Sequence, residues 1–274
     1  MRFWKYEGLG NDFVIVHDDV TLTRQQAIAI CDRHRGIGAD GVLIVTTDPK
    51  HPAMRVINAD GSVPEMCGNG IRCAALHVAR IAKITSGTLL FDTDAGPHPC
   101  RVIEMHDSGV TARIEVAMRP ALLSPSQVPV IAKEPVIDER FDFDGRPLHL
   151  TAVSMGNPHA VTFDDVGEAR ATLGPKIQKH SSFPNSVNVG FATLSAPNTI
   201  ELAVLERGSG WTEACGTGAC AAAVAAVETK RIARGQAVTV RLPGGSLTIE
   251  VNGRNEPIRM TGPARLVFEG ELAL

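Results

Sequence analysis

The sequence of 274 residues is poor in aromatic side chains, at 4%, with one tyrosine and two tryptophans. Its core must therefore be aliphatic, and a 44% hydrophobic share can supply one. There is no surplus of basic charge: 27 lysines and arginines stand against 30 aspartates and glutamates, a formal charge of −3. A nucleic-acid binder carries a basic face, so no nucleic-acid partner is expected. No apolar run approaches the roughly 20 residues that a bilayer span needs, so no membrane partner is expected. Met1 to Val16 lacks the basic-then-apolar layout of an export signal, and a cytoplasmic protein is expected.

Six cysteines, at 31, 67, 73, 100, 215 and 220, lack CxxC spacing and have no histidine pair at zinc-finger distance. No metal is expected, and a chain of this length does not need disulfide staples. The phosphate-loop string GxxxxGK[ST] is missing. Nor does the sequence read as carrying a glycine-rich dinucleotide fingerprint of the GxGxxG type. No lysine sits where a pyridoxal Schiff base would ask for one. The expected chemistry uses no cofactor, and the expected partner is a small-molecule substrate.

What the sequence does contain is itself, twice. Cys67-Gly68-Asn69-Gly70 opens a helical stretch from Ile71 to Lys83, and Cys215-Gly216-Thr217-Gly218 opens another from Ala219 to Arg234. Both are rich in alanine, a strong helix former. Asn58 precedes Cys67 by the same interval that Glu206 precedes Cys215, and Glu65 aligns with Glu213. A strand-like run precedes each, MRVI in one case and IELAVL in the other. Further upstream, GNDFV from Gly10 pairs with GNPHAV from Gly156. Downstream, GTLLFDTDAGPHPCRVIE parallels QAVTVRLPGGSLTIEV.

This predicts an α+β protein of two pseudo-symmetric α/β halves. Each half is expected to be a curved, mainly antiparallel sheet around a long central helix, with the active site in the cleft between halves. Residues 1–120 form the first repeat and 121–263 the second, divided where Pro120, Pro125 and Pro129 interrupt the pattern. Residues 264–274 are expected to return to the first repeat.

A helix start has unpaired N–H groups and a positive partial charge. Glycines allow a ligand close to that backbone. Each CGxG turn therefore suits a carboxylate. The same field should favour thiolate, which makes Cys67 and Cys215 the reactive pair. Cys31, Cys73, Cys100 and Cys220 read as core residues. Two cysteines presented from opposite faces of one ligand suggest inversion at a stereogenic carbon. One thiolate removes a proton and the other thiol returns one. N–H donors would stabilise charge developing on the carboxylate. Two such thiols should also be prone to join on air oxidation, with activity recovered by dithiothreitol.

At these residues the sequence resembles the diaminopimelate epimerase family, among the cofactor-independent two-cysteine racemases. The stretches that carry the resemblance are GLGNDFVIV, RHRGIGADG, NADGSVPEMCGNGIRC, SMGNPHAV, NVGF, LERGSGWTEACGTGACAA, LPGG and MTGPA, from Gly8 to Ala264. Proline-racemase-like relatives typically have histidine where Asn69 stands. The resemblance implies interconversion of LL- and meso-2,6-diaminopimelate, in lysine and peptidoglycan precursor synthesis, by a homodimer. It implies Cys67 and Cys215 as the acid/base pair. Asn11, Asn58, Asn157, Asn188, Glu206 and Arg207 would contact substrate. Gly68-Asn69 and Gly216-Thr217 would cradle the reacting carboxylate. His159 and Glu206 would modulate thiol protonation.

The chemistry of those residue types agrees with these roles. Arginine grips a carboxylate with two parallel bonds. Asparagines offer donors and acceptors without net charge. Asn11, Asn58 and Asn157 also suit turns, Arg207 a surface ion pair, and His159 a core contact. Asp40 and Asp60 read as structural. Two positions depart from the family pattern. Trp211 stands where many relatives have glutamate, and Gly41 where some have glutamine. These motivate an alternative, a racemase for another amino acid such as histidine or hydroxyproline. A third reading is a binding protein that kept the fold without the activity.

Overall fold

The computed structural model describes residues 1–106 and 109–273. The chain divides into two compact units. One comprises Met1–Ala117 with Thr261–Leu274, the other Met118–Met260.

In the first unit, β1 (Arg2–Gly8) and β2 (Asn11–His17) form a hairpin with Gly8 opposite Asn11. The two turn residues, Leu9 and Gly10, have φ of 59° and 79°. Positive φ at both positions is the requirement of the tight turn that matches strand twist. It sets Asn11 at the first position of β2. Helix α1 (Arg24–Cys31) follows, started by Thr23 and Gln26, whose side chains each bond the other's backbone. Strand β3 (Gly41–Thr46) then runs parallel to β2, and β4 (Ala53–Asn58) returns antiparallel. Alternation of side chains decides the layers. Val14 and Val16 cluster with Ala27 and Ile30 of α1. Phe13 and Ile15 face the other way.

That other side is filled by α2 (Gly68–Ala82), buried from Gly68 through Ala79 and packed on β1 to β4. It ends at Lys83, whose φ of 57° turns the chain out of the helix. Strands β5 (Gly87–Phe91), β6 (His98–His106) and β7 (Thr111–Met118) form an antiparallel meander, and α2 also packs on β6.

The second unit repeats this plan. Strand β8 (Glu139–Phe143) is added before β9 (Arg146–Ser154). Strand β9 pairs antiparallel with β10 (Pro158–Thr162). Helix α3 (Arg170–Gln178) intervenes before β11 (Asn188–Ala196), which is parallel to β10. Strand β12 (Thr199–Glu206) is antiparallel to β11 and carries a two-residue strand β13 (Gly210–Trp211). Helix α4 (Gly216–Glu228), buried through Val227, packs on β9 to β12. It also packs on β14 (Ala237–Leu242) and β15 (Gly245–Glu250), an antiparallel pair.

The final strand, β16 (Ile258–Glu271), reaches β1 with register from Arg2 opposite Glu271 to Glu7 opposite Arg265. The fold is α+β. Among the described residues no helix is long and apolar enough to cross a membrane.

Both long helices start three residues earlier than expected, directly after their cysteines. Helix α4 also stops six residues early, at Glu228 rather than Arg234. Thr229 Oγ1 donates to Ala225 O at 2.6 Å and so caps a terminal carbonyl. Lys230 then takes a φ of 61° and turns the chain away.

Candidate active site

The two copies of the CGxG turn have nearly the same backbone. Cys67 has φ −133° and ψ 114°, and Cys215 has φ −125° and ψ 103°. Each is the residue before a helix, and each sulfur accepts the amide of the glycine three residues on. Gly70 N lies 3.4 Å from Cys67 Sγ and Gly218 N 3.3 Å from Cys215 Sγ. Each thiol thus takes the place usually filled by a serine or threonine oxygen. The glycines are closely packed. A Cβ on Gly70 would lie 3.1 Å from Leu43 Cδ2, and one on Gly218 3.1 Å from Cys215 Sγ and Val204 Cγ2. The aligned glutamates are pinned through their carbonyls. Glu65 O accepts from Ala95 N at 3.0 Å, and Glu213 O from Gly244 N at 2.9 Å.

In the first unit Asn69 Nδ2 donates to Asn11 Oδ1 at 3.1 Å, and Asn11 Nδ2 to Asp40 Oδ2 at 2.5 Å. Arg33 bridges Asp40 at 2.7 Å and Asp12 at 2.8 Å. Lys5 pairs with Asp12 at 2.6 Å. Burial alone would raise the Asp12 carboxyl, but Arg33 and Lys5 outweigh it and hold it at about 2. Asn58 closes β4 and donates to Ser62 Oγ at 2.9 Å, while Ser62 donates to Asp60. Here Asn58 is a turn residue as well as a candidate contact.

In the second unit His159 Nε2 bonds Asn157 Oδ1 at 3.0 Å, and Asn157 Nδ2 donates to Thr217 Oγ1 at 3.3 Å. Thr217 Oγ1 is 3.6 Å from Cys215 Sγ. Asn188, buried at the start of β11, accepts the Arg207 amide at 2.8 Å. The exposed Arg207 guanidinium donates to Asn185 O at 2.8 Å. Glu206 ends β12 and accepts from Thr212 Oγ1 at 2.6 Å. Burial, then the Arg207 charge, lowers His159 to about 3, so its ring is neutral. Because Asn157 Oδ1 only accepts, the proton sits on Nε2.

The expectation that the helix field favours thiolate is corrected at Cys215. Its thiol stands well above the ordinary value, because burial dominates and the Glu206 charge adds to it. Bonds from Thr217 and Gly218 oppose this without reversing it. A helix terminus acts at the scale of about 1 kcal/mol, whereas full burial of a charge costs several.

The diaminopimelate epimerase family model matches residues 3–123 and 151–267. The chain is 42% identical to diaminopimelate epimerase of Microcystis aeruginosa, over 98% of this chain and 97% of that one. It is also 42% identical to diaminopimelate epimerase of Ectopseudomonas mendocina, over 100% and 99%.

The chain belongs to the diaminopimelate epimerase family.

More distant structures share its fold. A hydroxyproline epimerase from Agrobacterium vitis has a TM-score of 0.68 at 14% identity, covering 99% of this chain and 90% of that one. The Bacillus anthracis phenazine biosynthesis protein of the PhzF family has 0.65 at 15%, covering 100% and 99%.

Both departures from the family pattern have a structural setting. Gly41 opens β3 opposite Asn58, and a Cβ there would lie 3.0 Å from Ile57 O. Glutamine at this place would have to push β4 aside. The Trp211 ring centroid lies 6.0 Å from that of Phe191, with the Arg170 guanidinium 5.9 Å away over its face. It packs behind its loop, on α3 and β11.

Three features escape a reading of the sequence. Thr212, the partner of Glu206, is a single threonine with no periodic signal. Arg72 shares its helix with Asn69, His77 and Arg80, and nothing in the sequence marks it as the arginine that is fully buried. Gly36, Gly38 and Gly41 do have GxGxxG spacing. Their turn leads from α1 into β3, so no helix starts there to hold a pyrophosphate. Among the described residues no group of three or more histidine, cysteine or acidic side chains could hold a metal.

Proposed function

We propose that the chain interconverts LL- and meso-2,6-diaminopimelate by two-base proton transfer between Cys67 and Cys215. The observation that carries this is the pair of N-cap cysteines, each with its sulfur on the amide of a following glycine. Its family makes the chain an isomerase, a diaminopimelate epimerase acting in lysine biosynthesis. In this reading the reacting carboxylate lies against the amides of Gly68-Asn69 and Gly216-Thr217. One thiolate takes the α-proton, and the electron pair is held as a carboxylate-stabilised carbanion. The opposite thiol delivers its proton to the other face. The two sulfurs end with exchanged protonation, and no redox change occurs.

Only one end of diaminopimelate reacts, so the distal end must be recognised. Arg207, Asn188, Asn58 and Glu206 supply carboxylate and ammonium partners for it. A site that bonds a distal polar group rejects ligands lacking it by orders of magnitude. The resemblance also supports a cytoplasmic homodimer.

The test is incubation with LL-diaminopimelate in deuterated water under reducing conditions. Meso product labelled at the α-carbon is expected. Absence of exchange with both thiols titratable would reject the reading. Exchange with histidine or hydroxyproline but not diaminopimelate would replace the substrate and keep the mechanism.

A further inference from the structure

Arg72 lies on the second turn of α2 and is completely buried. Its guanidinium is a three-way clamp. Nε donates to Pro263 O at 3.1 Å, Nη1 to Gly68 O at 3.1 Å, and Nη2 to Asn69 Oδ1 at 3.0 Å. Gly68 and Asn69 are the two residues that follow Cys67. The clamp therefore grips the CGxG turn from behind.

The bond to Asn69 has a consequence for the whole polar chain of the first half-site. Arginine can only donate, so the side chain it meets must show its oxygen. That turns Asn69 Nδ2 toward Asn11 Oδ1, and Asn11 Nδ2 toward Asp40. An ionised carboxylate can only accept, so the chain is fixed at both ends. Arg72 at one terminus and Asp40 at the other leave one orientation for each carboxamide.

The clamp is also a charge, and the two half-sites differ in it. Counting from each cysteine, the residue that aligns with Arg72 is Cys220, a buried neutral side chain. Conversely, the residue that aligns with the anionic Glu206 is the neutral Asn58. The first half-site has an added cation and the second an added anion. Other ionisable groups around this end of α2 include Cys73, Glu7, Asp12, Asp40 and Glu65, and Arg33 pairs with Asp40 at 2.7 Å. Glu7 is paired with Arg265 at 2.9 Å, and Asp12 with Lys5 and Arg33.

We propose that Arg72 is a positioning residue that locks the Asn69–Asn11 amides in one orientation and holds a fixed positive charge behind Cys67, making Cys67 the sulfur that rests as thiolate. The inference rests on the two-cysteine reading above for its catalytic meaning. Its physical content can be measured without any substrate.

The experiment is alkylation by iodoacetamide across pH 6 to 10, with each cysteine followed separately by peptide mass. In the unmodified protein Cys67 should reach half-maximal rate at lower pH than Cys215. Arg72→Gln should move the Cys67 midpoint up by about one pH unit and leave Cys215 in place. Arg72→Lys keeps the charge but cannot make the fork. Its Cys67 midpoint should stay while epimerisation of diaminopimelate falls at least about tenfold in kcat, a split that a merely structural residue would not give. An unshifted Cys67 midpoint in folded Arg72→Gln protein would overturn the proposal. So would Cys215 alkylating before Cys67 in the unmodified protein, the measurement that decides should neither variant fold. Failure of the epimerase reading shows separately, as no α-deuterium exchange in unmodified protein.

Discussion

Cys67 and Cys215 share one backbone geometry and meet opposite electrostatic surroundings. Their φ and ψ values differ by 8° and 11°. Yet Cys67 is partly exposed at a turn gripped by a buried arginine, and Cys215 is buried with a carboxylate acting on it. Duplication supplied the same turn twice, and the residues around each copy differ in charge and in how deeply they bury the sulfur. A two-base inversion needs one thiolate and one thiol at the start of each turnover. Asymmetry around symmetric backbones meets that need.

Serine at either cysteine separates fold from chemistry. Serine is a favoured N-cap residue, so Cys67→Ser and Cys215→Ser keep the bond to the glycine amide. Thermal midpoints within a few degrees of the parent are expected. Proton transfer by an alcohol is far poorer, and epimerisation should fall by about 10²–10⁴-fold in each variant. Turnover unchanged in both, assayed by α-deuterium exchange, would remove the cysteines from the mechanism.

Glu206→Gln tests the anionic half. The glutamine oxygen still accepts from Thr212, so the β12–β13 turn should stand. Burial, the larger cause of the Cys215 shift, remains, and only the carboxylate contribution goes. The Cys215 thiol should therefore move down and stay above the ordinary value. Faster Cys215 alkylation at pH 8, with Cys67 unaffected, is the expected readout. An unchanged rate would show that Glu206 does not act on this sulfur.

The order of elements around each cysteine was open to reading because it rests on local rules. Glycine after cysteine, alanine-rich runs, and strand ends at Asn58 and Glu206 are short-range features with strong backbone preferences. The duplicated pattern multiplied their weight. Helix α4 ends before its composition predicts, because Thr229 capping a carbonyl competes with a favourable composition. The thiol state of Cys215 departs from the sequence expectation for a different reason. A helix field can be inferred from sequence, but burial depends on strands far along the chain. The role of Arg72 is hidden from the sequence on the same ground, since its partner Pro263 is distant in sequence and close only after folding.

Trp211 gives a prediction that separates packing from recognition. Its ring rests on Phe191, under Arg170, with partial exposure of 44%. Trp211→Ala should lower stability by roughly 1–3 kcal/mol through lost apolar contact. Preference for diaminopimelate over shorter amino acids should hold within about threefold, because the ring does not belong to the bonding set of the site. A relaxed preference in a competition assay would place the side chain against substrate instead.

Acid should destabilise the protein before its carboxylates titrate. His77 is buried on α2, between Tyr6 Oη at 3.2 Å and His17 Nε2 at 2.9 Å. Burial, then the His17 and Arg80 charges, brings it from 6.5 to about 3. His159 is lowered to about 3 as well. Both are neutral when folded, whereas the unfolded chain takes up their protons below pH 6.5. Unfolding therefore binds protons between pH 6.5 and 3, and stability falls as pH falls through that window. The slope approaches about 1.4 kcal/mol per pH unit for each histidine. Asp12, depressed from 3.8 to about 2, has the same sign but acts only below pH 3.8. The interval from pH 7 to 5 thus isolates the histidines. Urea midpoints measured at pH 7, 6 and 5 should decline stepwise, and His77→Gln, which keeps hydrogen-bonding capacity without titrating, should shrink the decline. Equal declines in the parent and His77→Gln would mean that His77 is not held neutral by the fold.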